Sequence, residues 1–288
     1  MTPVAPAPHQ AIADLFPQTV SSVDFATIAE LVRVRSGIVI GLDKAYLVES
    51  RLQHVVRTSQ LNDIAELSAK LRSHPTEALV RNVVEAMTIN ETLFFRDTRP
   101  FEHLRTTALP AMHAARPHGQ TLRIWSAASS SGQEAYSIAM TVMEAGLDQH
   151  PLQILGTDIS TEQLARARRG FYSDFEVQRG LSASVLGKHF QKAHGGWQIE
   201  NTVRRMVKFR QWNLMNDLYP LGTFHLIFCR NVLIYFDVYT KRRVLNAIWS
   251  RLVPGGWLYL GGAETTLGIS DKFVSCPGTY QVYTSVKE

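Results

Sequence analysis

A chain of 288 residues with 45% hydrophobic and 19% charged residues can bury a full core without staples, and its length allows one large or two modest domains. No uninterrupted apolar run approaches the roughly 20 residues of a membrane-spanning helix, and the opening MTPVAPAPHQ has neither the basic start nor the apolar core of an export signal. A cytoplasmic protein without membrane insertion is therefore expected, and Cys229 and Cys276, which lack C-x-x-C or Cys/His spacing, argue against a disulfide framework and a zinc site. The net charge of +5 permits an acidic partner, but it does not indicate nucleic acid.

Residues 1–22, rich in Pro, Ala and Ser, read as a disordered extension. From 23 to 90 the apolar period is helical: Phe25, Ile28, Ala29 and Val32, then Leu47, Val48, Leu52 and Val55. Leu61, Ile64, Leu67 and Leu71 continue it, as do Leu79, Val80, Val83, Val84 and Met87. Asp24, Asp43 and Thr76 mark helix starts, because their side chains can cap free amides. A small all-α domain is predicted, followed over 91–118 by a linker helix opened by Pro100.

From 119 to 288 strand and helix alternate. LRIWSA precedes a helix from Gln133 to about Ala145, and LQILGTD precedes a helix opened by Ser160, with Gln163 at capping-box spacing. MVKFRQW, FHLIFCR and WLYLGGA follow, with a helix from about Val238 to Leu252 before the last. Such alternation predicts a doubly wound α/β domain around a mainly parallel sheet. Gly, Ser and His interrupt it between Gly170 and Val203, which predicts a small antiparallel β subdomain at about 170–205. KFVSCPGTYQVYTS reads as a closing hairpin.

Open α/β sheets bind ligands beyond the carboxyl ends of their strands, so the loop Ala127–Gly132 after the first strand is the first place to look. Its small residues let a ligand approach the backbone amides and the next helix N-terminus, which favours an anionic or strongly polar group. Glu134 in the first helical turn would repel a pyrophosphate and attract an ammonium, although it could equally complement the helix dipole. Asp158, 26 residues after Gly132, stands near the separation at which an acid binds ribose hydroxyls; capping the next helix is the alternative, for which Ser160 is better placed. Two such carboxylates with no diphosphate signature describe S-adenosylmethionine better than a nicotinamide dinucleotide.

INETLFFRD, WSAASSSGQEAYSIAM, GTDIS and FCRNVLIYFD, in this order and spacing, resemble the CheR-type chemotaxis receptor glutamate methyltransferases from about Phe25 to the C-terminus. The resemblance implies a Rossmann-like class I methyltransferase domain with an inserted β subdomain, behind an all-α N-terminal domain. It implies S-adenosylmethionine as cofactor, S-adenosylhomocysteine as product and no metal. Asn90, Thr92 and Arg96 fall on the family's cofactor motif, and Arg96 suits the methionine carboxylate or the incoming substrate carboxylate. By the same similarity Glu134 and Asp158 take the ammonium and ribose, Asn213 and Leu214 contact adenine, and Arg230 and Asn231 lie at the ligand mouth. Tyr235 matches the residue near the transferred methyl, so Arg96 and Tyr235 are the catalytic candidates. Gln133 departs from the family, where Glu is common, which puts a direct role for that side chain in doubt.

The implied reaction is an in-line displacement at a sulfonium by a glutamate carboxylate already ionised near pKa ~4.3, so no general base is needed. The implied partner is the cytoplasmic signalling domain of methyl-accepting chemoreceptors, with a monomeric enzyme. Lys44, Arg51, His54 and Arg57 form a basic strip suited to acidic receptor helices, or simply a solvated face. The β subdomain suits a receptor C-terminal peptide bound by strand addition. Two alternatives stay open: a methyltransferase of RNA or a small molecule, and a non-catalytic cofactor-binding module.

Overall fold

A computed structural model describes residues 20–115 and 119–286. The chain divides into two units: residues up to Ile89 together with Tyr235–Asp237, and Asn90–Ile234 together with Val238 onward. The expected disordered extension lies, up to residue 19, outside the described residues; of its last three positions Val20 is buried, Ser21 caps the first helix and Ser22 begins it.

The first unit contains helices α1 (Ser22–Ser36), α2 (Ala45–Thr58), α3 (Ile64–Ser73) and α4 (Glu77–Met87). Each buries the stripe that its sequence repeats every three or four residues: Ile28, Val32, Val48, Leu52, Leu67 and Val83 are at 0% exposure. Each such side chain contributes about 1.5–3 kcal/mol relative to exposure. The caps differ from expectation. Ser21, not Asp24, accepts from the Asp24 amide at 3.1 Å, and Asp24 instead accepts from Ser21 Oγ at 2.6 Å and from Arg72 Nη1 at 3.4 Å. Asp43 lies in a 3₁₀ turn, and α2 starts without a side-chain cap. Asp63 caps α3 and, as expected, Thr76 caps α4. A later piece of chain completes this unit: the Val39 amide donates to the Tyr235 carbonyl at 2.8 Å, and Ile38 bridges Phe236.

In the second unit residues 91–98 are irregular chain and turns rather than helix. Helix α5 (Arg99–His103), with Pro100 in its first turn, passes through a π turn into α6 (Leu109–Ala115). Then follow β1 (Leu122–Ala127), α7 (Gln133–Glu144), β2 (Leu152–Asp158), α8 (Thr161–Arg169) and β3 (Phe171–Tyr172). The chain continues through α9 (Asp174–Gln178), α10 (Ala183–His189), β4 (Phe190–Ala193), β5 (Gly196–Ile199), α11 (Asn201–Met206) and β6 (Val207–Gln211). β7 (Phe224–Cys229), α12 (Val238–Arg251), β8 (Leu252–Leu260), β9 (Phe273–Ser275) and β10 (Val282–Ser285) complete it.

Seven strands form one sheet in the order β6-β2-β1-β7-β8-β10-β9, parallel from β6 to β8 and antiparallel through the closing hairpin. β1 sits between β2 and β7, with Ile124 opposite Ile154 and Leu226, so the strand order reverses on either side of it. At the amino ends Arg123 closes the sheet, donating to Gln153 Oε1 and to the carbonyls of Thr223 and Leu221 at 2.8–2.9 Å. β3, β5 and β4 make the small antiparallel sheet of the insertion. Its three short helices, α9 to α11, were not legible as helices. The all-α and α/β class with an inserted antiparallel sheet is as expected. Cys229 is a buried free thiol, pushed up in pKa by burial, whereas Cys276 is only half-buried.

Candidate active site

The loop between β1 and α7 is not an open cradle. Ala128, Ser130 and Gly132 take left-handed φ values of 55°, 48° and 96°, and Ser129–Ser131 are only 1–5% exposed. A Cβ on Gly132 would lie 2.9 Å from Ala167 Cβ and 3.1 Å from Phe209, so this turn needs glycine. Three of the loop amides are used internally: Ser129 donates to the Thr157 carbonyl, Gly132 to the Ser129 carbonyl and Ser130 to Asp158 Oδ2, each at 2.8–2.9 Å. The loop that the small residues marked as open to an anionic or strongly polar group is in part folded around a carboxylate of the chain itself.

That carboxylate, Asp158, ends β2 beside β1 and is 6% exposed. Its Oδ2 accepts from the Ser130 amide at 2.8 Å and its Oδ1 from the Ser160 amide at 2.9 Å, so one side chain fixes two turns. Ser160 itself caps α8, accepting from Gln163 N. The Trp212 amide donates to the Asp158 carbonyl at 2.9 Å, which brings the segment after β6 to the same end of the sheet. There Asn213 Oδ1 accepts from Met215 N at 2.9 Å, orienting the amide, and Asn213 and Leu214 are half-buried.

Glu134 opens α7 and is 8% exposed. Its Oε1 accepts from Ser126 Oγ at 2.8 Å and its Oε2 from Arg230 Nη1 at 3.1 Å. Burial pushes its pKa above the ordinary value against the opposing pull of Arg230 and Ser126. Arg230, whose side chain is 1% exposed, also donates from Nη2 to the Arg96 carbonyl at 2.8 Å and to Asp97 Oδ2 at 2.6 Å. Its Nε is buried without a hydrogen-bond partner among the described residues.

Through Arg230, the loop after β7 thus holds both α7 and the turn at 95–98. That turn is contorted: Phe95, Asp97 and Thr98 have φ values of 48°, 67° and 47°, a conformation that surrounding contacts must maintain. Phe95 N donates to Ser137 Oγ, and Phe94 is fully buried, edge-on to Tyr172 and Phe190. Arg96 Nη1 reaches the Glu91 carbonyl at 3.2 Å, and Ser130 Oγ donates to the Asn90 carbonyl at 2.8 Å. Thr92 is half-buried.

Asn90, Glu134, Asp158 and Arg230 are therefore tied by direct bonds to one set of loops, with Asn213 and Leu214 on the adjoining segment. Tyr235 groups instead with the helical unit through its backbone carbonyl. Of the basic strip, Lys44, His54 and Arg57 are exposed, but Arg51 is not part of an open face: its Nη1 donates to the carbonyls of Met87 and Thr88 at 3.2 and 2.9 Å, closing the end of α4. Gln133 accepts from Ser131 Oγ at 2.8 Å and reaches Glu176 at 3.5 Å, which gives the departure from Glu a structural setting.

The sequence reading missed three residues. Asp97 holds Arg230; Tyr172 of the insertion donates to the Ser131 carbonyl at 2.8 Å; Glu264 gathers backbone amides of the loops after β7 and β8. Asp97 closes the INETLFFRD stretch and Glu264 stands two residues beyond the glycine pair of LGGAE, whereas Tyr172 left no signal. Among the described residues no group of three or more His, Cys, Asp or Glu side chains could hold a metal ion.

Residues 23–88 match the family described as CheR methyltransferase, all-alpha domain, and 90–282 match the CheR methyltransferase, SAM binding domain. The chemotaxis protein methyltransferase Cher2 of Pseudomonas putida is 41% identical over 89% of this chain and 96% of its own. Chemotaxis protein methyltransferase 1 of Pseudomonas aeruginosa is 40% identical over 90% and 97%. The chemotaxis protein methyltransferase of Salmonella typhimurium is 34% identical over 88% and 87%. With residues 23–88 and 90–282 matching the two family domains and buried acids standing near the strand ends of the second, the chain belongs to the CheR methyltransferase family.

Proposed function

We propose that this protein transfers the methyl group of S-adenosylmethionine to glutamate side chains in the cytoplasmic signalling domain of methyl-accepting chemoreceptors, giving the methyl esters of sensory adaptation. The observation that carries the reading is the pair of buried carboxylates, Asp158 at the end of β2 and Glu134 in the first turn of α7, beside a loop three of whose amides are already engaged. These acceptors suit a cationic nucleoside better than a diphosphate. Bound there, S-adenosylmethionine supplies a methyl group on a sulfonium, which passes to a carboxylate oxygen and leaves S-adenosylhomocysteine.

The chain's own residues bind and align. Asp158 accepts from the ribose hydroxyls, and its hold on two turns keeps it in place for that task. Glu134 meets the ammonium; Arg230 opposes the effect of burial and so favours the carboxylate form. Asn90 and Thr92 complete the cofactor segment, Asn213 and Leu214 take adenine, and Asn231 flanks the mouth. Arg96 orients the substrate carboxylate with its planar fork, and Tyr235 is the second positioning candidate. Since the nucleophile is ionised near neutral pH, the site needs alignment and exclusion of water rather than a base.

The protein works in the cytoplasm as a monomer in this reading; no helix among the described residues is long and apolar enough to cross a membrane. Lys44, His54 and Arg57 face the acidic receptor helices. β4, an edge strand of the insertion's sheet, receives the receptor's C-terminal peptide.

Incubation with methyl-labelled S-adenosylmethionine and a receptor cytoplasmic fragment tests the proposal. Base-labile label on glutamates is expected. Label on RNA, or cofactor binding without transfer, would replace this reading with one of the two alternatives.

A further inference from the structure

Glu264 lies in the loop after β8, 4% exposed, and forms no ion pair among the described residues. Its charge is met by backbone instead. Oε2 accepts from the amides of Gly261 at 2.6 Å and Asn231 at 2.8 Å; Oε1 accepts from those of Val232 at 2.9 Å and Ile234 at 3.2 Å. Four donors from two loops thus converge on one carboxylate. The approach is close enough that a Cβ on Gly261 would stand 2.7 Å from the Asn231 amide and 2.8 Å from Glu264 Oε2. Asn231 is left-handed, with φ 57°, and its amide is one of those held.

The segment that Glu264 grips follows Arg230 directly, and Arg230 in turn joins Glu134 to the Arg96–Asp97 turn. We propose that Glu264 is a positioning residue for methyl transfer, acting through the backbone of Asn231–Ile234 to hold Arg230 and the cofactor loops in register. The proposal rests on the functional reading above. Glu264 touches neither reacting group; it supplies acceptors for one buried amide, that of Gly261, and three part-buried ones, which without it would lose bonds to a charged acceptor. A neutral amide cannot do the same, because its NH2 must face one of the two amide pairs.

The test uses the full chain, with Glu264→Gln and Glu264→Asp variants, the second retaining the charge on a shorter arm. Calorimetric titration with S-adenosylhomocysteine is run well below the melting temperature, alongside amide hydrogen exchange of the unliganded proteins. For Glu264→Gln, Kd should rise about 10-fold or more and exchange at Asn231, Val232 and Ile234 should accelerate by a similar factor, from the loss of well-made bonds to a charged acceptor. Glu264→Asp should fall between Glu264→Gln and wild type. If Glu264→Gln does not fold, Glu264→Asp carries the test with the same two readouts. A lower melting temperature with unchanged Kd and with exchange altered uniformly would overturn the proposal, since Glu264 would then be structural only. Failure of the wild-type chain to bind S-adenosylhomocysteine would instead overturn the functional reading, and the exchange data alone would then judge whether Glu264 holds the loop.

Discussion

The two units bury polar groups for different ends. In the helical unit they are Ser36 and Thr88, which donate to helix carbonyls, and Ser68 and Asp24, which meet the partly exposed Arg72, Asp24 accepting from Ser21 Oγ as well. In the α/β unit four charged side chains, Glu134, Asp158, Arg230 and Glu264, against the single Asp24 of the helical unit, are gathered near the carboxyl ends of β1, β2, β7 and β8. Desolvating charge is expensive, and apolar packing of equal volume is often as stable. Charges concentrated at one end of a sheet are therefore better explained by what they bind than by what they stabilise. A helix cap explains itself; a buried guanidinium does not.

The sharpest way to break this contrast is Arg230→Ala. Removing one partner of a buried pair strands Glu134, so the variant should lose about 3–5 kcal/mol in urea unfolding of the α/β unit. A loss below about 1 kcal/mol, the scale of exposed pairs, would show that Arg230 is not the keystone its burial suggests. Next, Asp158→Ala removes the acceptor of two turn amides together with the expected ribose contact. Affinity for S-adenosylhomocysteine should fall about 100-fold by calorimetry, and an unchanged Kd would remove Asp158 from the site. Arg51→Ala sharpens the other side: it should cost the helical unit about 1–2 kcal/mol of stability through the orphaned Met87 and Thr88 carbonyls while leaving cofactor affinity unchanged.

The smallest effect concerns pH. Burial acts to raise the Asp24 pKa, but hydrogen bonds from Ser21, Ser68 and Arg72 and the Arg72 charge outweigh it and hold the carboxyl below its ordinary value of 3.8. A carboxylate depressed in the folded state stabilises above the unfolded pKa, and that contribution disappears as pH falls through the folded one. The helical unit's Tm should consequently drop more steeply in wild type than in Asp24→Asn as pH falls from about 5 to below the ordinary carboxylate range. Parallel curves would dismiss the network around Asp24 as a source of stability.

What could be read beforehand follows the range of the interactions involved. Strand–helix alternation, the apolar stripes and the Ser160 cap are local, and sequence displays them directly. α9 and α11 were missed because five or six residues cannot establish a helical period. Asp24 was mistaken for a cap because Ser21, three residues before it, offers equivalent chemistry. Glu134 was recognisable as an acid out of place for a diphosphate, but its bond to Arg230 spans 96 positions, and no local pattern records that. Arg51 shows the converse. Its spacing from His54 and Arg57 suggested an open basic face, while its guanidinium reaches carbonyls 36 and 37 residues away.

Arg168 has one more consequence. Its Nη2 donates to the Phe209 carbonyl at 3.0 Å on β6, the outermost strand on one side of the large sheet, and Lys208 and Arg210 on that strand are exposed. A second molecule approaching to extend the ladder would find an acceptor already occupied and a row of like charges ahead of it. This margin of the sheet is in this way made inhospitable to its own kind.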